Sequence, residues 1–457
     1  MSNDITPLDI AIRHALALAP IADFPTVDAL RREAAGLAAR CDAQSRVIGR
    51  SRLGEPIDAY TIGSGSRQLV VVGGVHPNEP IGFRTVLELL RLLADDPAIA
   101  GLIDATWHIV PCIDPDGARL NESWFSTPSD RDAYFGGFYR PAPHEQVEWS
   151  FPFVYRSALF DRPIPETRAL MKLFDTVRPD LFMGLHNSEL GGVYYYLNRD
   201  DPSIVTDLVA IPDALGLSLD VGEPESAELV ALGPAVFLAP LARERYDYLE
   251  SLGLDPAAEQ AGAGTADYLE RYGSLTLIAE LPYWTHPDAA DTRGSGRPYD
   301  DVIAAKAGAL KELHDELSSL WARAAPHLTL DTPFRRATDA FVPAMGALAR
   351  AENARLGDPQ LQREATVAEV FANEEVVTMF RLRFGGTLRR ALEAEVVAGT
   401  ASGTLRALHA DVETRFAGWR DGLAHRAGIE PLPIERLVGV QLAALLVTAL
   451  HLERRRE

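Results

Sequence analysis

Leu69-Val70-Val71-Val72-Gly73-Gly74-Val75-His76-Pro77-Asn78-Glu79-Pro80 is the stretch on which the reading of the fold turns. An unbroken apolar run closes on a glycine pair, and an amphipathic helical pattern follows over 81–93. Such a run suits a strand buried on both faces, as in a sheet covered by helices. The junction of a buried strand and a helix is where open α/β sheets place their ligands. His76 and Glu79, three apart on one turn, can reach a common metal ion through an imidazole nitrogen and a carboxylate, both good zinc donors. Two donors make half a site, and such a pair alone is more often a surface turn.

Working outward, short strands are expected over 45–50 and 57–62, and another over 106–112. A helix over 166–177, a buried strand over 180–185, a last strand over 275–280 and a long amphipathic helix over 301–324 continue the alternation. Strand and helix in turn argue for an α/β sheet flanked by helices. Residues 8–42 read as helical. Residues 128–152, rich in Pro, Gly and aromatics, read as a long loop, and 200–262 mix helical pieces with Gly and Pro. A boundary falls at 326–333. Beyond it the chain turns rich in Ala, Leu, Arg and Glu, with apolar residues at helical spacing over 367–384 and 405–423.

A third donor closes another apolar strand, Leu181-Phe182-Met183-Gly184-Leu185-His186. Alone it reads as a core histidine, but its place at a strand's carboxyl end matches that of His76. Two His and one Glu, with a position left for water, form a ligand set typical of catalytic zinc. Glu280 ends Leu275-Thr276-Leu277-Ile278-Ala279-Glu280. A carboxylate there is costly to bury unpaired, so it is exposed, partnered by a cation, or a base beside a metal.

The totals bound the rest. With 457 residues, the chain exceeds what one core usually supports. At 47% apolar and 24% charged it is ordinary globular material, and its net charge of −21 disfavours nucleic acid and anionic membrane; a small cationic substrate is compatible with it, but a strongly acidic surface is more often just a solubility feature. Cys41 and Cys112 cannot build a disulfide framework and read as free thiols in a reducing compartment. Met1-Ser2-Asn3-Asp4 shows neither a basic leader nor an apolar secretory core, so a cytoplasmic protein is expected. The apolar stretch 437–452, interrupted by Gln441, reads as a buried helix rather than a bilayer span, with Arg454-Arg455-Arg456 as its solvated end.

Taken in order, these features resemble the zinc carboxypeptidase superfamily, which includes carboxypeptidase A and the succinylglutamate desuccinylase and aspartoacylase branch. The resemblance covers about 25–325. Val47-Ile48-Gly49-Arg50-Ser51 and Gly54-Glu55-Pro56-Ile57 resemble the family's entry strands. Gly74-Val75-His76-Pro77-Asn78-Glu79 resembles its zinc-binding turn, closest in its ending to the deacylase branch. Asp114-Pro115-Asp116-Gly117 resembles its Asn-Pro-Asp-Gly segment, and Pro165-Glu166-Thr167-Arg168-Ala169-Leu170 the helix before the last ligand. What the resemblance implies is a mixed central sheet flanked by helices, one zinc ion per chain on His76, Glu79 and His186, and Glu280 as general base. The domains would then be an N-terminal helical segment 1–24, a hydrolase domain 25–327 and an all-helical domain 328–457.

The departures are as informative. Carboxypeptidases of this kind clamp the substrate's terminal carboxylate with an Asn-Arg pair, and the corresponding Glu148-Trp149-Ser150-Phe151-Pro152 holds neither. Arg119 and Arg140 are the candidates for the family's oxyanion-stabilising arginine. Tyr246 and Tyr248 fall near the place of its mobile tyrosine, Asn78 and Asn187 flank the ligands as substrate-binding candidates, and Gly191 to Tyr196 offers pocket-lining aromatics. The expected activity is a carboxypeptidase-like metallopeptidase acting on an amide bond of a small peptide or peptide-like substrate. A zinc deacylase of N-acyl amino acids is the alternative, suggested by Asn78-Glu79 and the missing pair. An inactive relative serving as a binding or assembly module is a third, opposed by retention of all four residues. The C-terminal helices would pack on the hydrolase domain or join two copies as a homo-oligomer.

Overall fold

Each residue of the run at 69–72 is buried, and they divide between two cores. In the computed structural model, which describes residues 5–256, 261–424 and 427–454, Leu69 and Val71 join one apolar cluster and Val70 and Val72 another on the opposite face. That is the two-residue alternation of a strand covered on both sides. The opening tetrapeptide and Arg455-Arg456, on which expectations rested above, lie outside the described residues.

Nine strands form the central sheet: β1 (Gln44–Arg50), β2 (Pro56–Ile62), β3 (Arg67–Val72), β4 (Ala105–Val110), β5 (Leu181–Leu185), β6 (Tyr194–Leu197), β7 (Ala231–Gly233), β8 (Val236–Leu238) and β9 (Leu275–Glu280). Their order is β1-β2-β4-β3-β5-β9-β6-β8-β7. The four central strands β4, β3, β5 and β9 run parallel, whereas β1 and β2 on one side and β6 against β9 on the other are antiparallel. The sheet is mixed. Registers Leu69↔Leu181 and Leu275↔Leu181 bring the carboxyl ends of β3, β5 and β9 side by side.

Helices α1 (Pro7–Leu16), α2 (Val27–Arg40), α3 (Ile81–Asp95), α4 (Pro165–Val177) and α5 (Pro202–Ala214) flank the sheet. Leu30, Leu37, Val86 and Leu90 of α2 and α3 meet the Leu69 face, and Leu170 and Phe174 of α4 meet the Val70 face. After α6 (Tyr299–Ala324) come α7 (Pro333–Ala354), α8 (Val367–Val397), α9 (Gly403–Ala424) and α10 (Ile434–Arg454).

The boundary expected at 327/328 is crossed from both sides. Leu310, Leu313, Leu317 and Leu320 give α6 an apolar stripe that packs with Met345 of α7, Leu388 of α8 and Leu408 of α9 in a separate helical core. In the other direction, α10 returns to the sheet, where Leu437, Val440, Leu445 and Leu446 share the cluster of Leu69 and Leu181. By length and composition alone α10 could cross a membrane, yet most of its apolar window is buried inside the fold.

Gln441 explains why that helix carries a polar residue in its middle. Its side chain is buried; Nε2 donates to the backbone carbonyl of His186 at 2.8 Å, and Oε1 accepts from the Thr85 hydroxyl of α3. Inside an apolar layer a carbonyl stripped of its donor costs about 1–3 kcal/mol. Gln441→Leu is therefore expected to lower stability by about that amount, read as a reduced urea midpoint at unchanged slope. An unchanged midpoint would show that the bond contributes nothing net.

Candidate active site

The turn after β3 is shaped by Gly74, whose φ of +68° is a left-handed value that glycine adopts freely. A Cβ there would stand 2.9 Å from the Phe83 ring and 3.2 Å from the Cys112 sulfur, so the turn closes tightly onto α3. It delivers His76 and Glu79 to the carboxyl edge of the sheet. His186 follows β5 by one residue, and Glu280 is the last residue of β9. Three neighbouring parallel strands thus bring four chemistry-bearing side chains to one place, all buried.

Their atoms surround a common point. His76 Nδ1 is 3.0 Å from both Glu79 oxygens, His186 Nδ1 is 3.3 Å from Glu79 Oε2, and the two rings stand 4.8 Å apart edge to face. One donor atom from each of the three residues lies within 4.8 Å of the others. Tetrahedral ligands about 2.0 Å from zinc are roughly 3.3 Å apart, so the spacing fits. Although carboxylates approach His186 Nδ1, neither ring nitrogen makes a hydrogen bond of good geometry. His76 and Glu79 are hydrogen-bonded to each other while His186 stays unpaired; two His with one Glu at this spacing is a donor set suited to zinc.

The electrostatics agree. Burial, with Arg140 adding to it, holds His76 down at about 4, so the ring is neutral as a ligand must be. Glu79 titrates far below the usual range: burial opposes this, but His76, His186 and Arg140 outweigh it. Burial also opposes protonation of His186, yet Glu148, Glu79 and Glu280 push it up to about 10. Glu280 goes the other way, raised well above a normal glutamate chiefly by burial, which overcomes the pull of His186 and is helped by repulsion from Glu79 and Glu225. A raised carboxylate that can both take and return a proton is what base catalysis needs.

Of the two arginine candidates, only Arg140 reaches the site. Its Nη1 donates to Glu79 Oε1 at 3.2 Å and its Nη2 lies 2.9 Å from His76 Nε2. Arg119 is held elsewhere: Nε donates to Glu55 at 2.9 Å and Nη2 to Asp28 at 2.7 Å, carboxylates from distant parts of the chain that capture it. The tyrosine expectation also fails on geometry. Tyr246 is buried in the β-face core with its hydroxyl on Ser157, and Tyr248 lies under Arg245; neither lines the cavity. Asn187 does line it, while Asn78 is buried beneath, its carbonyl accepting from the Tyr283 hydroxyl at 2.9 Å.

Two contributions escaped sequence reading. Glu148, noticed only for not being a clamp residue, is buried with Oε2 accepting from the Thr265 hydroxyl at 2.7 Å and amide at 3.0 Å. Its Oε1 faces His186 Nε2 at 3.8 Å, across the ring from Nδ1, the nitrogen that Glu79 and Glu280 approach. The lone acidic residue between Val147 and the apolar Trp149 was the available signal. The second is α8, which the boundary at 328 assigned to a separate domain: Phe371, Met379 and Phe380 of this helix line the same cavity of about 520 Å³ as His76, Glu79 and His186.

A carboxylate behind a ligating imidazole orients the ring and raises its basicity, and its loss typically costs 10–100-fold in metal affinity. Glu148→Gln is expected to weaken zinc binding by about that factor, measured by competition with a chelator; equal affinity would remove Glu148 from the site. Because the folded value of His186 stands above the ordinary 6.5, the zinc-free chain keeps that proton until about pH 10. Zinc must displace it, so affinity should rise about tenfold per pH unit from 7 to 9.

No curated protein matches the chain. Solved structures that resemble it include carboxypeptidase A from Helicoverpa armigera, 14% identical with a TM-score of 0.38, covering 77% of this chain and 80% of that one. A metallo-carboxypeptidase from Burkholderia cenocepacia is 17% identical with a TM-score of 0.34, covering 73% and 69%. Among family models, Peptidase_M14, zinc carboxypeptidase, matches residues 32–214. The segment of this chain that matches the zinc carboxypeptidase family contains His76, Glu79 and His186, with Glu280 lying beyond it.

Proposed function

We propose that this chain is a zinc-dependent hydrolase of the metallopeptidase kind, cleaving an amide bond in a small peptide or peptide-like substrate. The observation that carries the reading is the convergence of His76, Glu79 and His186 at metal-ligand spacing, with Glu280 3.7 Å from His186 Nδ1. The match to the zinc carboxypeptidase family over residues 32–214 supports it.

Zinc bound there would acidify a water and polarise the scissile carbonyl. The protein's own groups divide the remaining work. Glu280, at the end of β9 and raised by burial, accepts the proton of the attacking water and passes it to the leaving nitrogen. Arg140, beside Glu79, is the cation available to the oxygen that gains negative charge. The amide is broken, water's hydroxyl joins the acyl carbon, and its two protons end on the amine and the solvent-equilibrated acid.

No arginine takes the place of the terminal-carboxylate clamp at 148–152, and Arg383, the other arginine lining the cavity, is paired with Glu189 at 3.0 Å. That observation keeps the deacylase of N-acyl amino acids as the second reading, separable on a panel of free peptides against N-acyl amino acids.

Purified chain should hold about one zinc ion, and His186→Ala should release it. Glu280→Gln should retain the metal while lowering turnover by about 100-fold or more. Absence of bound zinc under conditions that preserve it would overturn the reading, and full activity of Glu280→Gln would remove the assigned base.

A further inference from the structure

The sheet face that ends at Glu280 continues away from the metal-binding trio as a recess. Thr276 and Ile278 precede Glu280 on the same face of β9, and the register Glu280↔Tyr194 and Ile278↔Tyr196 sets two phenols of β6 beside them. Both phenols point their hydroxyls at one carboxylate. Tyr194 donates to Glu225 Oε1 and Tyr196 to Glu225 Oε2, each at 2.8 Å. Asp220, next to it, accepts from the amides of Gly192 at 3.2 Å and Gly222 at 2.9 Å. Glu225 and Asp220 are on the wall of the same cavity as His76 and His186.

The charges on that wall do not balance. Each of its cations is already matched: Lys306 with Glu352 at 2.7 Å, Arg383 with Glu189 at 3.0 Å, and Arg140 with Glu79 at 3.2 Å. Among the described residues no lysine or arginine pairs with Glu225 or Asp220; their partners are the phenols and amides just named. A second observation is independent of these acids. Thr276 Oγ1 and Asn187 Oδ1, on residues 3% and 6% exposed that line the cavity, have no hydrogen-bond partner. Asn187 already spends its amide NH₂ on the Leu281 carbonyl at 3.3 Å, which leaves the free atom as an acceptor. Buried polar atoms are nearly always satisfied, yet here the Asn187 oxygen lacks a donor and the Thr276 hydroxyl, which can give or accept, lacks a partner.

We propose that the recess receives a substrate side chain ending in an ammonium or guanidinium group, with Glu225 as its counter-charge; this rests on the hydrolase reading above and names its substrate class. The apolar surface fits such a side chain. Ile278 and Phe237 line the recess beside the two tyrosine rings, and the methylene stem of a lysine or arginine packs on apolar surface while its head seeks charge or an aromatic face. Glu225 is a specificity residue, separated in role from Glu280: the two tyrosine hydroxyls fix its carboxylate, leaving its remaining lone pairs for a donor from the ligand.

The test uses zinc-loaded full-length protein and N-acyl dipeptides in which each position is varied through lysine, arginine, norleucine and glutamate. Lysine or arginine at one position should exceed norleucine in kcat/KM by about 10–100-fold, the scale of a hydrogen bond to a charged group. Glu225→Gln should collapse that ratio toward unity, and Glu225→Lys should favour the glutamate peptide. Calorimetric binding of N-acetyl-lysine amide against N-acetyl-norleucine amide gives a readout free of turnover, with the same preference expected and lost in Glu225→Gln. A chain that binds the lysine amide selectively but hydrolyses no peptide would overturn the hydrolase reading and keep the recess. Equal turnover and equal binding of the lysine and norleucine probes, unchanged in Glu225→Gln, would overturn the recess and leave the hydrolase reading intact.

Discussion

Three carboxylates, Glu79, Glu148 and Glu280, crowd one imidazole in a part of the protein that water barely reaches. Like charges brought together in a low dielectric repel strongly and cannot all remain ionised without compensation. The protein's own groups offset the repulsion in part: the carboxylates favour the protonated His186, burial pushes Glu280 toward its neutral form, and Arg140 pairs with Glu79. A divalent cation would supply in one place the charge that these groups supply in three. The parallel centre of the sheet serves this constraint, because only strands running the same way deliver their ends to one edge. The left-handed Gly74 and the buried Gln441 serve it too, one shaping the turn that carries His76 and Glu79 and the other holding the backbone of His186.

What could be read from the sequence follows from how local each signal was. β3, β5 and β9 announce themselves as unbroken apolar runs, since a strand covered on both faces has no polar position to spare. A histidine or glutamate just past such a run has nowhere to be except the sheet's edge, which is why His76, His186 and Glu280 were legible. Arg119 was not. Its partners Asp28 and Glu55 come from a helix start and a strand lead-in that sequence spacing cannot place beside it. Tyr246 and Tyr248 went the same way, sequestered by Ser157 and Arg245. Glu148 was hidden for the opposite reason. It sits in an aperiodic stretch, where a short helix at Arg131–Gly137 and two single turns at Pro143–Glu145 and Val147–Trp149 leave no pattern from which to infer a direction.

The C-terminal region shows how composition can mark a change of architecture without marking a change of unit. Helical periodicity after 333 is real, and α7, α8 and α9 do share a core with α6. Periodicity reports only that a helix has an apolar side, not which surface that side will meet. For α10 the answer was the sheet, where its buried glutamine meets the His186 carbonyl and so ties this last helix to the candidate site.

Helix α8 then gives the cavity its asymmetry. On one side the sheet edge presents acids, phenols and unsatisfied acceptors; on the other, Phe371, Met379 and Phe380 present apolar surface. Dispersion against the aromatic and thioether side holds a ligand without orienting it, whereas the polar side sets direction through hydrogen bonds and charge. A ligand that satisfies both has an apolar flank, an amide within reach of Glu280 and Arg140, and donors at the Glu225 end. The helix that sequence assigns to a separate domain is thus one of the two surfaces that decide what the edge carrying His76, Glu79 and His186 can hold.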